Sequence, residues 1–145
     1  MSDNVYLGNP NLKKANTPIE FTAEQIQEFL RCKDDPVYFA KNYVKIVSLD
    51  EGLVPFIPYD FQEKLIENFH ENRFNICKMP RQTGKSTTVV SYLLHYLIFN
   101  DSVNIGILAN KAATARELLG RLATAYENLH LFILLLLLVN QQKSS

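Results

Sequence analysis

The sequence predicts an α/β fold: a parallel sheet flanked by helices, incomplete, with a helical and hairpin lead-in before it. Two stretches carry this expectation. Phe74 and Ile76 alternate with Asn75 and Cys77, as in a strand entering a loop, and Ser86 to Phe99 continues as an apolar-rich helix. Val103-Asn-Ile-Gly-Ile-Leu-Ala109 is a strongly apolar second strand, and a helix runs on from about Ala112 to Leu129. Strand, helix, strand, helix implies parallel strands joined by right-handed crossovers. Ligands in such sheets sit beyond the carboxyl ends of the strands, where both the loop before Ser86 and Asn110-Lys111 lie.

Taken in order, the chain divides into four parts. Residues 1–20 are polar, with Asn, Gly and Pro, and read as an extended arm. Residues 21–57 are the helical and hairpin lead-in. Thr22 is the expected N-cap of a first helix, with Gln25 as its capping-box partner and Ile26, Phe29 and Leu30 on the inner side. Asp35-Pro36 reads as N-cap and first residue of a second helix, with Phe39, Ala40 and Tyr43 inward. Ile46–Leu49 and Leu53–Ile57 form a hairpin around Asp50-Glu51-Gly52, the second strand weakened by Pro55. The Asp50-Glu51 pair ends an apolar run, as a metal-holding strand of an ATPase would. Its place before the loop, and Gly52 after it, favour a turn.

Residues 58–130 are the front part of the α/β domain. Asp60 is expected to cap a helix to about Asn72, with Phe61, Leu65 and Phe69 inward. In the helix after the loop, Val89, Leu93, Tyr96 and Leu97 share one face. In the last helix, Ala115, Leu118, Leu119, Leu122 and Tyr126 point inward. Residues 131–145 are an aberrant tail, nine apolar residues from Leu131 to Val139 and then Asn-Gln-Gln-Lys-Ser-Ser.

Bulk properties bound the function loosely. With 145 residues and 47% apolar content the chain supports one modest domain. Its net charge of zero announces no nucleic-acid partner globally but leaves a local basic face open. Cys32 and Cys77 have no metal or redox spacing and read as reduced thiols, Cys77 in a buried strand. The N-terminus lacks the apolar region of a signal peptide. The nine-residue apolar run is shorter than the roughly 20 residues that span a bilayer, so no membrane partner is expected.

The chemistry is concentrated in Met79-Pro-Arg-Gln-Thr-Gly-Lys-Ser86. This is the ending of a phosphate-binding P-loop, with Met79 where the full pattern has its first glycine. A loop turned into a helix N-terminus points several backbone N–H groups inward, and the helix dipole favours an anion there. Gly84 lets the backbone approach a phosphate closely. Lys85 can bring its ammonium to the β- and γ-phosphates, and the Ser86 hydroxyl can ligate Mg²⁺. The segment Arg81, Gln82, Thr83, Gly84, Lys85, Ser86, Thr87 is therefore the predicted nucleotide-binding stretch, with ATP and Mg²⁺ as its ligands. Gln62, polar at the first turn of its helix, carries both the donor and the acceptor that the adenine edge requires.

From about Leu7 to His130 the chain resembles the ATPase domain of the large terminase subunit of contractile-tail bacteriophages, a P-loop NTPase of RecA/helicase-like type. The resemblance rests on Leu7-Gly-Asn-Pro-Asn-Leu-Lys-Lys-Ala15, Cys32-Lys-Asp-Asp-Pro-Val-Tyr-Phe-Ala40 and Tyr59-Asp-Phe-Gln62. It continues through Arg81-Gln-Thr-Gly-Lys-Ser86 and Ile105-Gly-Ile-Leu-Ala109. It implies a motor that couples ATP hydrolysis to moving double-stranded DNA into a procapsid, in host cytoplasm, with the portal and a small terminase subunit as partners and possible homo-oligomers. It further implies that Gln62 contacts adenine, that Lys85 and Ser86 hold phosphate and metal, and that Arg81 stabilises charge on the γ-phosphate. Arg81 and Lys85 are thus the implied catalytic pair. Lys111 and Arg116, after the second strand, stand where a DNA-touching loop would be.

Beyond Lys85 the chain departs from that family. No later apolar run ends in Asp-Glu, and neither a coupling motif nor a nuclease domain is present. Leu131–Val139 is expected to stand in place of the continuation, through a frameshift or a premature end. A helicase-type P-loop ATPase acting on DNA, or an ATP-binding remnant without catalysis, are the alternative readings.

Overall fold

The structure, a computed structural model, describes residues 5–6, 9–13, 20–48, 50–129 and 133, the first two stretches by backbone alone. The tail beyond residue 133 lies outside the described residues, and with it the expectation for Leu131–Val139 as a segment. Five helices dominate: α1 (Ala23–Asp34), α2 (Pro36–Tyr43), α3 (Asp60–Glu71), α4 (Lys85–Phe99) and α5 (Ala112–Glu127). Two antiparallel ribbons complete the described part. β1 (Val5–Tyr6) pairs with β2 (Asn9–Lys13) within the arm, and β3 (Lys45–Ser48) with β4 (Gly52–Pro55).

The expected parallel sheet is not formed, so the fold class is corrected: the described chain is mostly helical. Residues 74–77 and 103–109 belong to no sheet. Phe74, Ile76 and Leu108 face solvent, 84%, 101% and 98% exposed, while Val103, Ile105 and Ile107 are half-buried. Apolar alternation reports that a segment would suit a sheet; it does not supply a neighbour for its N–H and C=O groups. Cys77, expected in a buried strand, is exposed for the same reason, while Cys32 is fully buried.

The lead-in obeys local rules closely. Thr22 and Gln25 exchange side-chain and backbone hydrogen bonds at 3.2 and 3.1 Å, a complete capping box at the start of α1. The Asp35 side chain accepts from Tyr38 N at 2.8 Å, and Pro36 opens α2. Asp50 and Glu51 turn the β3–β4 ribbon, and Gly52, paired with Ser48, opens β4 at φ 75°. The hydroxyls of Tyr38 and Tyr43 both donate to Glu28 Oε1 at 2.7 Å, tying α2 to α1 and holding the Glu28 carboxyl below its ordinary pKa.

The core forms where α1, α2, α3, α4 and α5 meet. Phe39, Leu94, Ile66, Cys32 and Ile133 are all fully buried or within 1% of it, and Phe39 sets its ring edge-on to His95 and Phe99. The buried stripe of α4 is Val90, Leu94 and Ile98, not the Val89, Leu93, Tyr96 and Leu97 expected from spacing; Tyr96 and Leu97 are more than a third exposed. In α1 the inner residues are Phe29 and Cys32, with Ile26 and Leu30 about half exposed. Helix α4 is apolar over most of its surface, so periodicity alone does not choose a face.

His95 is the polar residue at the centre of this core, 2% exposed. Its Nε2 lies 2.9 Å from the Cys32 carbonyl oxygen, which only accepts, so that nitrogen carries the proton; Nδ1 finds no hydrogen-bond partner. Burial drives the His95 pKa down to about 4 from 6.5, against the opposing pull of the Cys32 carbonyl. In the folded chain the ring is neutral, whereas an unfolded chain takes up a proton below about pH 6.5. The unfolded state then binds more protons between about pH 6.5 and 4, so stability falls as pH is lowered through that window. The loss from this group approaches about 3 kcal/mol at the acid end. Urea titrations at pH 7 and pH 4.5 are expected to show a drop that a His95→Gln variant reduces by half or more.

Candidate nucleotide-binding loop

The loop between α3 and α4 begins as chain without secondary structure and ends in a built turn. Gln82 and Gly84 both adopt left-handed backbone conformations, with φ of 61° and 72°. Gly84 is the N-cap of α4, so Lys85, Ser86 and Thr87 occupy the first helical turn. Their N–H groups precede any intrahelical acceptor and form the positive end of a 15-residue helix.

Hydrogen bonds within the segment hold this shape. Lys85 Nζ donates to the Met79 carbonyl at 2.7 Å, so the ammonium folds back across its own loop. Thr83 Oγ1 donates to Pro80 O at 3.1 Å. Thr88 Oγ1 and Thr88 N both donate to Gly84 O at 3.0 Å and lock the turn onto the helix. Lys85 and Thr87 are half-buried, and Arg81, Gln82 and Ser86 are exposed.

Gln62 joins α3 to this loop. It is 4% exposed, its Oε1 accepts from Tyr59 N at 2.9 Å, and its Nε2 donates to Thr83 O at 3.3 Å. The carboxamide is thus engaged at both ends, with one N–H left over. The sequence singled out Gln62 as a base reader; the structure shows its carboxamide holding Tyr59 and Thr83. Tyr59, not Asp60, is the N-cap of α3, and its ring stacks on Phe61 at 5.9 Å between centroids and 10° between planes.

Of the residues read as a nucleotide site, the structure brings Gln62, Thr83, Gly84 and Lys85 together and sets Ser86 and Thr87 on the following turn. Arg81 makes no hydrogen bond or ion pair to them. Sequence reasoning missed Thr88, fully buried, whose hydroxyl closes the turn on Gly84. A threonine four residues after a capping glycine was the available signal. Lys111 and Arg116 stand at the start of α5, exposed.

The space around Gly84 is tight. A Cβ there would meet Gln62 Nε2 at 2.5 Å, at a backbone angle that L side chains rarely adopt. Gly84→Ala is expected to cost about 1–2 kcal/mol from the backbone angle alone, and to push Gln62 off Thr83. Adding Gln62→Ala relieves the steric part, so the double variant should regain some of the loss in a denaturant titration.

Among the described residues no group of three or more His, Cys, Asp or Glu is placed to hold a metal ion. Among them, too, no helix is long and apolar enough to cross a membrane. No family model matches the chain.

Proposed function

We propose that this chain is the ATP-binding part of a viral DNA-packaging motor, the front of the ATPase domain of a large terminase subunit. The observation that carries the reading is the loop itself. Two left-handed residues, Gln82 and Gly84, curl the backbone before the N-terminus of α4, and Lys85 closes over that curl onto Met79 O. A lysine resting on a carbonyl of its own loop is a cation that a phosphate can take over with little rearrangement.

In this reading the N–H groups of the first turn of α4 and Lys85 Nζ hold the β- and γ-phosphates. The Ser86 hydroxyl would supply one ligand to a Mg²⁺ that enters with the nucleotide. Mg²⁺–ATP brings the phosphoryl group and the charge neutralisation. Arg81, exposed at the loop's outer end, would stabilise charge on the γ-phosphate. Gln62 supports the loop and has one N–H to offer the base. The loop's own hydrogen bonds run to main-chain oxygens and to Gln62, not to a carboxylate. No apolar run after Lys85 ends in Asp-Glu, so binding without rapid turnover is expected of this chain by itself, a missing water-activating carboxylate costing on the order of a thousandfold in rate.

The motor reading brings double-stranded DNA, a procapsid portal, a small terminase subunit and further copies of the chain as partners, in the host cytoplasm. Calorimetric titration with Mg²⁺–ATP tests the nucleotide site, and AMP, which lacks the β- and γ-phosphates, should bind far more weakly. Retention of the chain on portal-bearing procapsids separates the packaging reading from a helicase-type ATPase, which would act on duplex DNA without them.

A further inference from the structure

A cavity of about 330 Å³ opens on the far half of α4, where the loop site is not involved. Its walls are rings. Tyr92, His95, Tyr96 and Phe99 recur on one side of α4 at helical spacing, and His70 of α3 stands edge-on to Tyr92 and His95, with centroids 6.4 and 5.9 Å away. Tyr92 stacks on His95 at 6.3 Å and lies at the same distance from Tyr96. The volume is at the low end of small-molecule sites, suited to one small head group.

Three helices finish at this cavity. Asp34 is the last residue of α1, His70 the last but one of α3, and Phe99 the last of α4, and all three line it. Each helix end carries part of the negative pole of its dipole, although Cys32 O, Asn68 O and Tyr96 O already accept from His95, Asn72 and Asn100. The exposed Lys33 and Asp34 at the rim offset one another, so the helix ends and the ring faces set the sign. The remaining polar groups, the Tyr92 and Tyr96 hydroxyls, His70 and Asn100, can each accept as well as donate. Asn100 Nδ2 gives one N–H to Tyr96 O and keeps the other beside its free Oδ1, and His95 has an unpartnered lone pair on Nδ1 buried behind the wall.

We propose that this cavity binds an organic cation, an alkylammonium or guanidinium group, held over the faces of Tyr92, Tyr96 and Phe99 at the convergence of three helix C-termini. An ammonium or guanidinium is attracted by the ring faces, and Asp34, Asn100 Oδ1 and the tyrosine hydroxyls can accept its hydrogen bonds. The site is separate from the nucleotide loop and stands whether or not that loop binds ATP.

The test is a titration of the full chain with n-butylammonium, n-butanol and butyrate at matched ionic strength, read through the ring ¹H–¹³C signals of Tyr92, His95, Tyr96 and Phe99. Saturable shifts with butylammonium, at least fivefold weaker with butanol and missing with butyrate, are expected. Tyr96→Leu, at a ring 39% exposed, should weaken the ammonium about fivefold without unfolding the chain, and Asp34→Asn should weaken it less. Comparing putrescine with Nα-acetyl-lysine methylamide tells a free amine from a protein's lysine as the source, and tighter binding of either supports the site. Equal shifts with butanol, no saturable shift at all, or an unchanged affinity in Tyr96→Leu would each overturn it.

Discussion

Lys85→Ala is expected to abolish the thermal shift that Mg²⁺–ATP produces in the native chain. A ligand at a hundredfold over its dissociation constant adds about 2.7 kcal/mol of stability. For a chain of 145 residues that raises the melting temperature by roughly 8 °C. In the variant the loop loses its one hydrogen bond from the ammonium to Met79 O and the cation meant for the phosphates. The ligand-free chain should melt within about 2 °C of the parent, because a half-buried lysine bonded to a single carbonyl contributes little to stability. The contrast between a nearly unchanged apo melt and a lost nucleotide shift is the diagnostic. A shift retained in Lys85→Ala, or none in the native chain, would remove the basis of the motor reading. Inorganic tripolyphosphate should reproduce much of the effect, since the loop grips phosphates and not the base.

Phe39→Ala carries the largest expected loss of stability, about 3–5 kcal/mol. Phe39 is fully buried and packs against Tyr43, His95 and Phe99 with ring centroids 6.2, 5.4 and 5.6 Å away. Truncation removes the transfer energy of the ring and leaves a cavity among groups drawn from α2 and α4, which cannot both collapse into it. Since whole domains are stable by only about 5–15 kcal/mol, the variant is expected to lose most of its cooperative urea transition. Phe39→Leu, which keeps most of the volume, should cost less than half as much. A small effect from Phe39→Ala would mean that α1, α2 and α4 do not share one core.

What could be read from the residues was mostly local. Thr22-Ala-Glu-Gln25, Asp35-Pro36 and Asp50-Glu51-Gly52 each bring their own hydrogen-bond partner or backbone preference, and each forms as the rules of caps and turns require. Gly84 and Lys85 belong to that class: a glycine ahead of a helix start fixes the turn without reference to distant chain. Non-local features were less legible. Residues 74–77 and 103–109 carry the right alternation for strands, but a strand is a relation between two segments, and pattern supplies only one of them. The face of α4 was misjudged because apolar residues surround most of it. Only the packing of Phe39 and Phe29 against His95 and Phe99 shows which side is inner. His95 itself could not be picked out, since a histidine among tyrosines and leucines gives no hint that a carbonyl 63 residues away will orient it.

The contrast between the two sulfurs has a practical consequence. Cys32 is sealed in the core, where burial pushes its thiol pKa up to about 12, so thiol-directed reagents meet neither access nor thiolate there. Cys77 is open to solvent two residues before Met79, the carbonyl on which the loop lysine rests. A maleimide dye added to the native molecule therefore attaches at one position, beside the grip, with no engineered handle. Its emission becomes a direct optical gauge of when that lysine lets go.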